Sequence, residues 1–523
     1  MIAFSYWFFP SMNQKRNLKP LVVLASICAS VATIFYFISK FIVKNFGEVT
    51  IPQILLNVRT AETSNSLLLD YIKIAVPYVI KCAILLFIIF YTAKLVNRFD
   101  TFGAFLTFLL KKIKETTATA INFINNKPQT LVLVLLLVVT LYSLKAVDRK
   151  LHVLDYLKQE DSSFVEQNYA RLDIGSAIFE NDKKQNLILL FAESIEKGYS
   201  DEAVYGDNLI KELVELKKEG VSLYGYRKTP GGYFTLDGIS AQTLGMPLTQ
   251  LPIDIHNSKF NDQFGALLSK TPGIFNLLKE SGYKTASFSG TSKTFTNKGM
   301  FLNVHGIDNP YFKEYWLESG FLLDDKTRGF WDFSDVFLME RFKEYLSKTE
   351  QDKPFAVLFE TVDTHFPNGW APVEYRKDGG FKDAVRFSSK LIYDFVQWAK
   401  TQPWYNNTMI VIVGDHPFQD FNVDFTQFTK KSNNREIYTL FINSKIKNDI
   451  VMDCGYSPMD IAPTILHAMG VSFKSAYRDR LDGNRIGLGT SLLSQEKNLV
   501  CQYGVNDLSQ KLWQFSSFYQ DLH

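Results

Sequence analysis

The sequence predicts an α-helical membrane anchor followed by a doubly wound α/β domain. Long apolar runs are concentrated in the N-terminal part of the 523-residue chain. Four continuous apolar runs occur later, and such runs are typical of strands buried on both faces: NLILLF, FAVLFE, MIVIVG and IYTLFI. Helical patterns such as GIFNLLKESG and SSKLIYDFVQWAKT lie between them, and strands that alternate with helices favour a parallel sheet covered by helices.

Three N-terminal runs are long and apolar enough to cross a bilayer, which takes roughly 20 residues. We place these spans at residues 21–43, 72–96 and 128–146. Lysines and arginines are concentrated before the first span and between the second and third, and basic loops tend to stay inside. Three spans therefore predict that the N-terminus lies inside the cell and the large C-terminal part outside.

The chain is accordingly divided into a transmembrane domain (1–144), a polar helical stalk (145–185) and an outer domain (186–523). Its 57 Lys+Arg and 54 Asp+Glu leave a net charge of +3, so we expect no nucleic-acid partner. Cys454 and Cys501 both lie in the outer domain, where an oxidising exterior would allow a disulfide. The sequence leaves open whether they pair.

Side chains that can bind a metal follow three of the predicted strands. Glu193 follows NLILLF, Asp415 and His416 follow MIVIVG, and Asp363 and His365 follow FAVLFE. Ligands of open α/β sheets gather at the carboxyl ends of the strands, so we expect these side chains to lie close together. Carboxylates with an imidazole suit a divalent metal such as Mn²⁺ or Zn²⁺. We find neither a dinucleotide-binding glycine fingerprint after a strand nor a P-loop.

Metal-dependent phosphoryl or sulfuryl transfer also needs an oxygen nucleophile, and Thr235 is the best candidate. It follows Gly231 and Gly232 in TPGGYFTLDGISAQTLGMPL and opens a helical pattern. The N-terminus of a helix favours an anion. The alternative is that Thr235 only caps this helix, with Asp237 serving its first turn. His305, which has no adjacent acid and no metal-ligand spacing, is predicted to lie on the surface.

These stretches, with GYKTASFSG, DTHFPNG, MDIAPTILHAMG and RIGLGTSLL, resemble in their order the sulfatase-type phosphoglycerol transferases. Those proteins belong to the alkaline phosphatase superfamily, beside the lipoteichoic acid synthases. The resemblance covers about residues 186–492. It implies a sulfatase/alkaline-phosphatase-like catalytic domain on the extracytoplasmic (periplasmic) side of a bacterial cell (inner) membrane, held by a multi-pass anchor.

The resemblance also implies roles for individual residues. One divalent metal, Mn²⁺ ahead of Mg²⁺ or Zn²⁺, would be held by Glu193, Thr235, Asp415 and His416, with Thr235 as the nucleophile. His365 is similar to the family's substrate-phosphate histidine, and Lys298 stands where lipoteichoic acid synthases have a headgroup-binding arginine. The further candidates for substrate contact are Asp363, Trp331 and Asp335.

The implied activity is transfer of phosphoglycerol from phosphatidylglycerol to a cell-envelope glycan. A covalent phospho-threonine would form on the way, and diacylglycerol would be released. One alternative is a phosphoethanolamine transferase that acts on lipooligosaccharide or another envelope glycan, and another is a non-catalytic envelope protein with a relic domain. Sulfatase activity is not expected, because no Cys or Ser begins the C/S-x-P-x-R motif that formylglycine formation requires. The acceptor glycan and the oligomeric state stay open.

Overall fold

The computed structural model describes residues 19–46, 65–98, 128–151, 153, 161–250, 267–349, 353–366, 368–419 and 424–523. The chain separates into two compact units, one of N-terminal helices and one that contains all described residues from 161 onward. The basic loop at 99–127, on which the predicted orientation partly rests, lies outside the described residues.

The N-terminal unit consists, as far as it is described, of α1 (Lys19–Phe46), α2 (Asn65–Arg98) and α3 (Pro128–Leu151). Two segments of the described residues, Pro20–Val43 and Ala75–Thr92, are long and apolar enough to cross a membrane. They coincide with the first two predicted spans. The third predicted span lies in α3, and its crossing of a membrane stays a prediction.

The second unit contains the remaining strands and helices of the described chain. Its strands are β1 (Ala170–Phe179), β2 (Asn186–Ala192), β3 (Gly220–Val221), β4 (Leu223–Tyr226), β5 (Lys284–Phe288), β6 (Asn309–Tyr311), β7 (Phe355–Glu360), β8 (Thr408–Gly414), β9 (Thr439–Ile442), β10 (Ile450–Tyr456), β11 (Val471–Tyr477), β12 (Arg480–Asp482), β13 (Arg485–Ile486) and β14 (Gly489–Thr490). Its α-helices are α4 (Phe164–Asn168), α5 (Glu202–Tyr205), α6 (Lys211–Leu216), α7 (Thr235–Leu244), α8 (Ile274–Glu280), α9 (Lys298–Val304), α10 (Lys313–Glu318), α11 (Asp335–Ser347), α12 (Phe381–Ala399), α13 (Thr426–Thr429), α14 (Ile461–Ala468), α15 (Leu499–Tyr503), α16 (Val505–Trp513) and α17 (Ser517–Asp521). Short 3₁₀ turns cover Lys197–Ser200, Lys217–Glu219, Phe295–Asn297, Val373–Tyr375, Tyr405–Asn407 and Pro458–Asp460.

A seven-stranded mixed sheet of order β3-β9-β8-β2-β7-β5-β6 forms the centre of this unit. The pairs from β8 through β2, β7 and β5 to β6 are parallel, and β9 is antiparallel to β8. Every residue of β2, β7 and β8 is buried, which explains their continuous apolar sequences. The predicted α/β fold class and the four predicted strands are confirmed.

Successive residues of β2 face opposite sides of the sheet and enter two separate hydrophobic cores. Leu187 and Leu189 pack in the core that includes Leu236 of α7. Ile188 and Leu190 pack in the core that includes residues of α11 and α12. Because strand side chains alternate with a period of two, one central strand fixes helices on both faces.

The predicted helical stalk contains a strand instead of continuous helix near its C-terminal end. The strand β1 pairs antiparallel with β11 on both sides of an irregularity between Asp173 and Ile178, in a small sheet of order β1-β11-β12. Burial alternates at the start of β1, with Ala170 and Leu172 buried and their neighbours exposed, so its scattered apolar residues follow a strand period.

Two further expectations are resolved in this unit. Cys454 and Cys501 form a disulfide with their Cα atoms 5.1 Å apart, which joins β10 to α15. The surface prediction for His305 is wrong, because the ring is buried with Nε2 3.0 Å from the carbonyl oxygen of Leu267. Its ring packs against Phe301, one turn earlier at the end of α9, and the isolated sequence pattern carried no sign of that contact.

Candidate active site

The candidate metal-binding side chains meet where β2 and β8 end. These strands are parallel neighbours, and Ala192 pairs with Gly414. Glu193, Asp415 and His416 follow directly, so they emerge at the same edge of the sheet. One potential ligand atom from each lies within 4.8 Å of the others, and all three side chains are buried.

The hydrogen bonds around Asp415 and His416 leave ligand atoms available. Asp415 Oδ1 accepts the N–H groups of Ser194 at 2.8 Å and His416 at 2.9 Å. Its Oδ2 is buried without a hydrogen-bond partner among the described residues and lies 3.4 Å from His416 Nε2. His416 Nδ1 is 2.9 Å from the carbonyl of Pro417, which can only accept, so the neutral ring carries its lone pair on Nε2.

The electrostatics of this site also fit a cation. Burial, followed by the neighbouring carboxylate of Asp415, raises the pKa of Glu193 well above its usual range. Two carboxylates and an imidazole lone pair in one buried cluster suit a divalent metal. The described residues therefore form a candidate metal site. Buried oxygen atoms normally have a hydrogen-bond partner or a metal, and Asp415 Oδ2 has no hydrogen-bond partner among the described residues.

Thr235 is the first residue of α7, and its side chain faces the metal-site residues. Its hydroxyl donates to Glu193 Oε2 at 3.0 Å. The N-cap position is held by Phe234, so Thr235 does not act as the cap. The structure thus brings together all four residues to which a metal or nucleophilic role was assigned.

The glycine loop before Thr235 is held by the buried carboxylate of Asp237, the residue that the alternative interpretation assigned to the first turn of the helix. Asp237 accepts the N–H groups of Gly231 at 2.9 Å, Tyr233 at 3.2 Å and Leu248 at 2.7 Å. Gly231 has φ +98°, a conformation that side-chain-bearing residues rarely adopt. Burial raises the pKa of Asp237 to about 6. Asp237 therefore shapes the loop that presents the hydroxyl.

Helix α7 lies in direct contact with the end of β8. A Cβ atom added at Gly238 would lie 2.3 Å from the carbonyl oxygen of Asp415, so only glycine permits this approach. Gln242, one turn further on, donates from Nε2 to the carbonyls of Gly414 at 3.1 Å and Asp415 at 3.0 Å. The helix that carries Thr235 is thereby aligned with the strand that carries Asp415.

Glu193 is fixed by residues that the sequence reasoning missed. The hydroxyl of Thr361 accepts the Glu193 N–H at 2.9 Å, and Thr364 donates to the Glu193 carbonyl at 2.6 Å. Ser194, in the left-handed region with φ 55°, donates to Glu193 Oε1 at 2.7 Å. Both threonines lie in TVDTHFPNG, directly after β7, so their place at a third strand end was the available signal.

His365 lies among aromatic rings in the same loop. Its Nδ1 is 2.8 Å from the carbonyl of Phe366, so the neutral ring offers Nε2 as an acceptor. Ring centroids of Trp331 and Phe330 lie 4.5 and 5.6 Å away. Burial lowers the pKa of His365 to about 4. In this state the ring can accept a hydrogen bond from a hydroxyl, whereas donation from Nε2 to a phosphate would require the protonated form.

Asp363 and Asp335 form a reciprocal clamp between two loops. Asp363 accepts the N–H groups of Phe330 and Asp335, both at 2.8 Å. Asp335 accepts those of Val362 at 2.8 Å and Asp363 at 2.9 Å. Both carboxylates are buried and already bonded to backbone. The structure places these two candidates where they hold the Trp331 loop against the His365 loop.

Lys298 lies at the end of β7 as half of a buried ion pair. Its Nζ contacts both carboxylate oxygens of Glu360, the last residue of the strand. The two side chains are 2% and 4% exposed. Sequence reasoning missed Glu360, because its partner lies 62 residues away and no local pattern joins them.

The strand ends of this mixed α/β sheet thus bring together a hydroxyl that could act as a nucleophile and side chains that could bind a metal. Residues 185–471, more than half of the chain, match the Sulfatase family. The chain belongs to the sulfatase family.

Curated relatives include proteins named phosphoglycerol transferase I. That of Xanthomonas campestris pv. campestris (strain B100) is 27% identical over 323 residues, which are 60% of this chain and 43% of the relative. That of Escherichia coli O6:K15:H31 (strain 536 / UPEC) is 29% identical over 322 residues, 60% of this chain and 39% of the relative. The chain thus spans about two fifths of the length of the curated relatives it matches. Among solved structures, the lipoteichoic acid synthase LtaP from Listeria monocytogenes aligns with a TM-score of 0.46 and 17% identity, over 67% of this chain and 97% of that one.

Proposed function

We propose that this chain is a membrane-anchored glycerophosphotransferase that moves phosphoglycerol from phosphatidylglycerol to a cell-envelope glycan. The observation that carries the proposal is the contact between the Thr235 hydroxyl and Glu193 Oε2, beside Asp415 and His416. The relatives named phosphoglycerol transferase I support the choice of headgroup. The missing formylglycine motif argues against sulfate-ester hydrolysis within the same family.

One divalent metal, for which we favour Mn²⁺ over Mg²⁺ or Zn²⁺, would be held by Glu193, Thr235, Asp415 and His416. When bound, it would lower the pKa of the Thr235 hydroxyl and offset the negative charge of the phosphoryl oxygens. The protein's own contribution is alignment, because Asp237, Gly238 and Gln242 set the position of Thr235 relative to Asp415.

Two displacements at phosphorus account for the transfer. In the first, Thr235 Oγ1 loses its proton to solvent and forms a bond to phosphorus, while the bond from phosphorus to the diacylglycerol oxygen breaks. Diacylglycerol leaves as an alcohol after taking up a proton, and a glycerophospho-threonine remains. In the second, an acceptor hydroxyl loses its proton to solvent and attacks phosphorus, and Thr235 Oγ1 leaves and is reprotonated.

The side chains near His365 suit a polyol headgroup. The neutral ring of His365 accepts a hydrogen bond from a glycerol hydroxyl, and Trp331 forms the adjoining wall. Lys298 Nζ, which contacts both carboxylate oxygens of Glu360, would donate its remaining N–H to the phosphate. Asp363 and Asp335 act by fixing these loops.

Membrane attachment fits this chemistry because the donor and one product are lipids. The apolar segments Pro20–Val43 and Ala75–Thr92 support an anchor within residues 1–144. The Cys454–Cys501 disulfide supports an oxidising, extracytoplasmic location for the catalytic unit at the cell membrane.

The test is release of diacylglycerol by the purified full-length protein in mixed micelles of phosphatidylglycerol or phosphatidylethanolamine with Mn²⁺. We expect release from phosphatidylglycerol and none from the Thr235→Ala variant. Thr243→Ala is the matched control, since Thr243 lies in the same helix and its hydroxyl bonds to the Ile239 carbonyl. Release from phosphatidylethanolamine alone would favour the phosphoethanolamine alternative, and a metal-loaded protein that cleaves neither lipid would favour the relic domain.

A further inference from the structure

Directly behind His416, the peptide groups of Phe418 are bonded by both members of an ion pair. The Phe418 N–H donates to Glu196 Oε1 at 2.8 Å, and its carbonyl accepts from Arg435 Nη2 at 2.6 Å. Arg435 Nε donates to Glu196 Oε2 at 2.6 Å, and the Glu196 side chain is 0% exposed. Glu196, Arg435 and the Phe418 peptide thus close a ring of hydrogen bonds, here called the Phe418 clamp.

The Phe418 clamp is connected to the metal-site residues at both ends. Glu196 comes three residues after Glu193 on the segment that leaves β2. At the other end, the clamp holds the residue that follows Pro417, and the Pro417 carbonyl accepts from His416 Nδ1 at 2.9 Å. That bond sets the tautomer of the imidazole and presents the Nε2 lone pair. A shift of the Pro417–Phe418 peptide would therefore turn the ring.

The same three chain segments touch through their backbones. The Tyr438 N–H donates to the Ile195 carbonyl at 2.9 Å, and the Gly414 N–H donates to the Tyr438 carbonyl at 2.8 Å. A Cβ atom at Gly414 would lie 2.5 Å from the Ile195 oxygen. The backbone segments around the clamp are therefore closely packed, and they can shift little if a clamp side chain is replaced.

A buried ion pair contributes little net stability by itself, because desolvation of the charges offsets their attraction. This pair, however, directs one hydrogen bond from each member at the two peptide groups of Phe418, close to a metal-site histidine. We propose that Glu196 and Arg435 are positioning residues that fix His416 for metal binding and thereby raise the affinity of the site. This inference rests on the metal site of the proposed function and adds to it two residues outside the assigned ligand set.

The predicted effect is on metal affinity and not only on folding. Loss of a partner that orients a metal-binding histidine typically weakens metal binding by roughly 10–100-fold. Glu196→Gln keeps an oxygen for the Phe418 N–H but removes the charge that pairs with Arg435. Arg435→Lys keeps a positive charge but lacks the rigid fork that reaches both Glu196 and the Phe418 carbonyl. We therefore expect Arg435→Lys to lose less affinity than Arg435→Met.

The experiment measures the Mn²⁺ dissociation constant of the full-length apo protein by equilibrium dialysis against a chelator-buffered Mn²⁺ series. The visible absorption spectrum of the Co²⁺-loaded protein gives a second readout of the coordination geometry. Arg485→Lys is the control, because Arg485, the first residue of β13, is a buried arginine that pairs with Glu496 at 3.0 Å. We expect Glu196→Gln and Arg435→Met to bind Mn²⁺ 10–100-fold more weakly and to change the Co²⁺ spectrum, with Arg485→Lys unchanged in both.

Mn²⁺ dissociation constants within twofold of wild type in both clamp variants would overturn the inference, whatever their thermal midpoints. The same measurements distinguish a failure of this inference from a failure of the proposed function. A wild-type protein that binds Mn²⁺ tightly but releases no diacylglycerol contradicts the transferase proposal and leaves the clamp standing. A wild-type protein that takes up neither Mn²⁺ nor Co²⁺ contradicts the metal site itself, and the clamp inference with it.

Discussion

The hydroxyl of Thr235 lies 3.0 Å from Glu193 Oε2, although 42 residues separate them in the chain. This contact joins the first turn of α7 to the end of β2. The hydrogen bond places the hydroxyl that could act as a nucleophile beside a carboxylate that could bind a metal. The arrangement follows from packing on both sides, since Gly238 allows α7 to approach Asp415 and the threonines after β7 hold Glu193.

Asp415→Asn should remove the metal and leave the fold intact. The variant retains an oxygen at the Oδ1 position for the N–H groups of Ser194 and His416, and it loses the charge at the orphaned Oδ2. We expect the bound metal to fall from one ion per chain to near zero in elemental analysis of the purified protein. Unchanged metal content would show that Asp415 is not a ligand.

Gly238→Ala should disturb the site through backbone contact. An alanine in a helix is ordinarily more favourable than glycine, but here its Cβ would lie 2.3 Å from the Asp415 carbonyl oxygen. We expect a loss of about 1–3 kcal/mol in the free energy of unfolding and a marked loss of diacylglycerol release. Gly175→Ala is the control, because its Cβ would meet only Asp173 Oδ1, at 3.6 Å. Equal behaviour of the two variants would refute the close-contact argument.

The low pKa of His365 predicts a specific pH dependence of stability. Its pKa is about 4 in the folded protein against an ordinary value of 6.5, so the unfolded chain binds the proton first as the pH falls. Stability should therefore decline from about pH 6.5 to pH 4 and show no further contribution from this group at lower pH. The thermal midpoint of wild type should fall relative to that of His365→Gln as the pH falls across this range. A relative rise of the wild-type midpoint on acidification would mean that the folded protein favours the imidazolium.

The Cys454–Cys501 disulfide should contribute to stability without taking part in catalysis. It closes a loop with a sequence separation of 47 residues, for which chain entropy gives about 4 kcal/mol. The double variant Cys454→Ser, Cys501→Ser should unfold at lower temperature, yet still release diacylglycerol below its transition. Thiol titration of the denatured, unreduced protein should find two free thiols, those of Cys28 and Cys82. Four thiols would contradict the disulfide.

Sequence reasoning succeeded where the fold and the gathering of the candidate site residues depend on local pattern. The apolar runs of β2, β7, β8 and β9 are visible as such, and parallel topology then gathers Glu193, Asp415 and His365 at one edge of the sheet. It missed β1, whose burial alternates only in part.

It also missed the pairs that depend on the tertiary fold. Lys298 and Glu360 are 62 residues apart, and Glu196 and Arg435 are 239 apart. No periodicity in the sequence connects such partners. These partners become neighbours only when the strands take their places in the sheet. Long-range side-chain pairs of this kind therefore cannot be predicted from the sequence pattern alone.

Intact-mass analysis of the full-length protein, incubated with phosphatidylglycerol and Mn²⁺ without an acceptor, tests the central claim most directly. We predict a single glycerophosphate adduct on wild type, located at Thr235 by peptide mapping. The adduct should be absent from Thr235→Ala, retained in part by Thr235→Ser and unaffected by Thr243→Ala. Diacylglycerol release at the wild-type rate by folded, metal-loaded Thr235→Ala would contradict the mechanism.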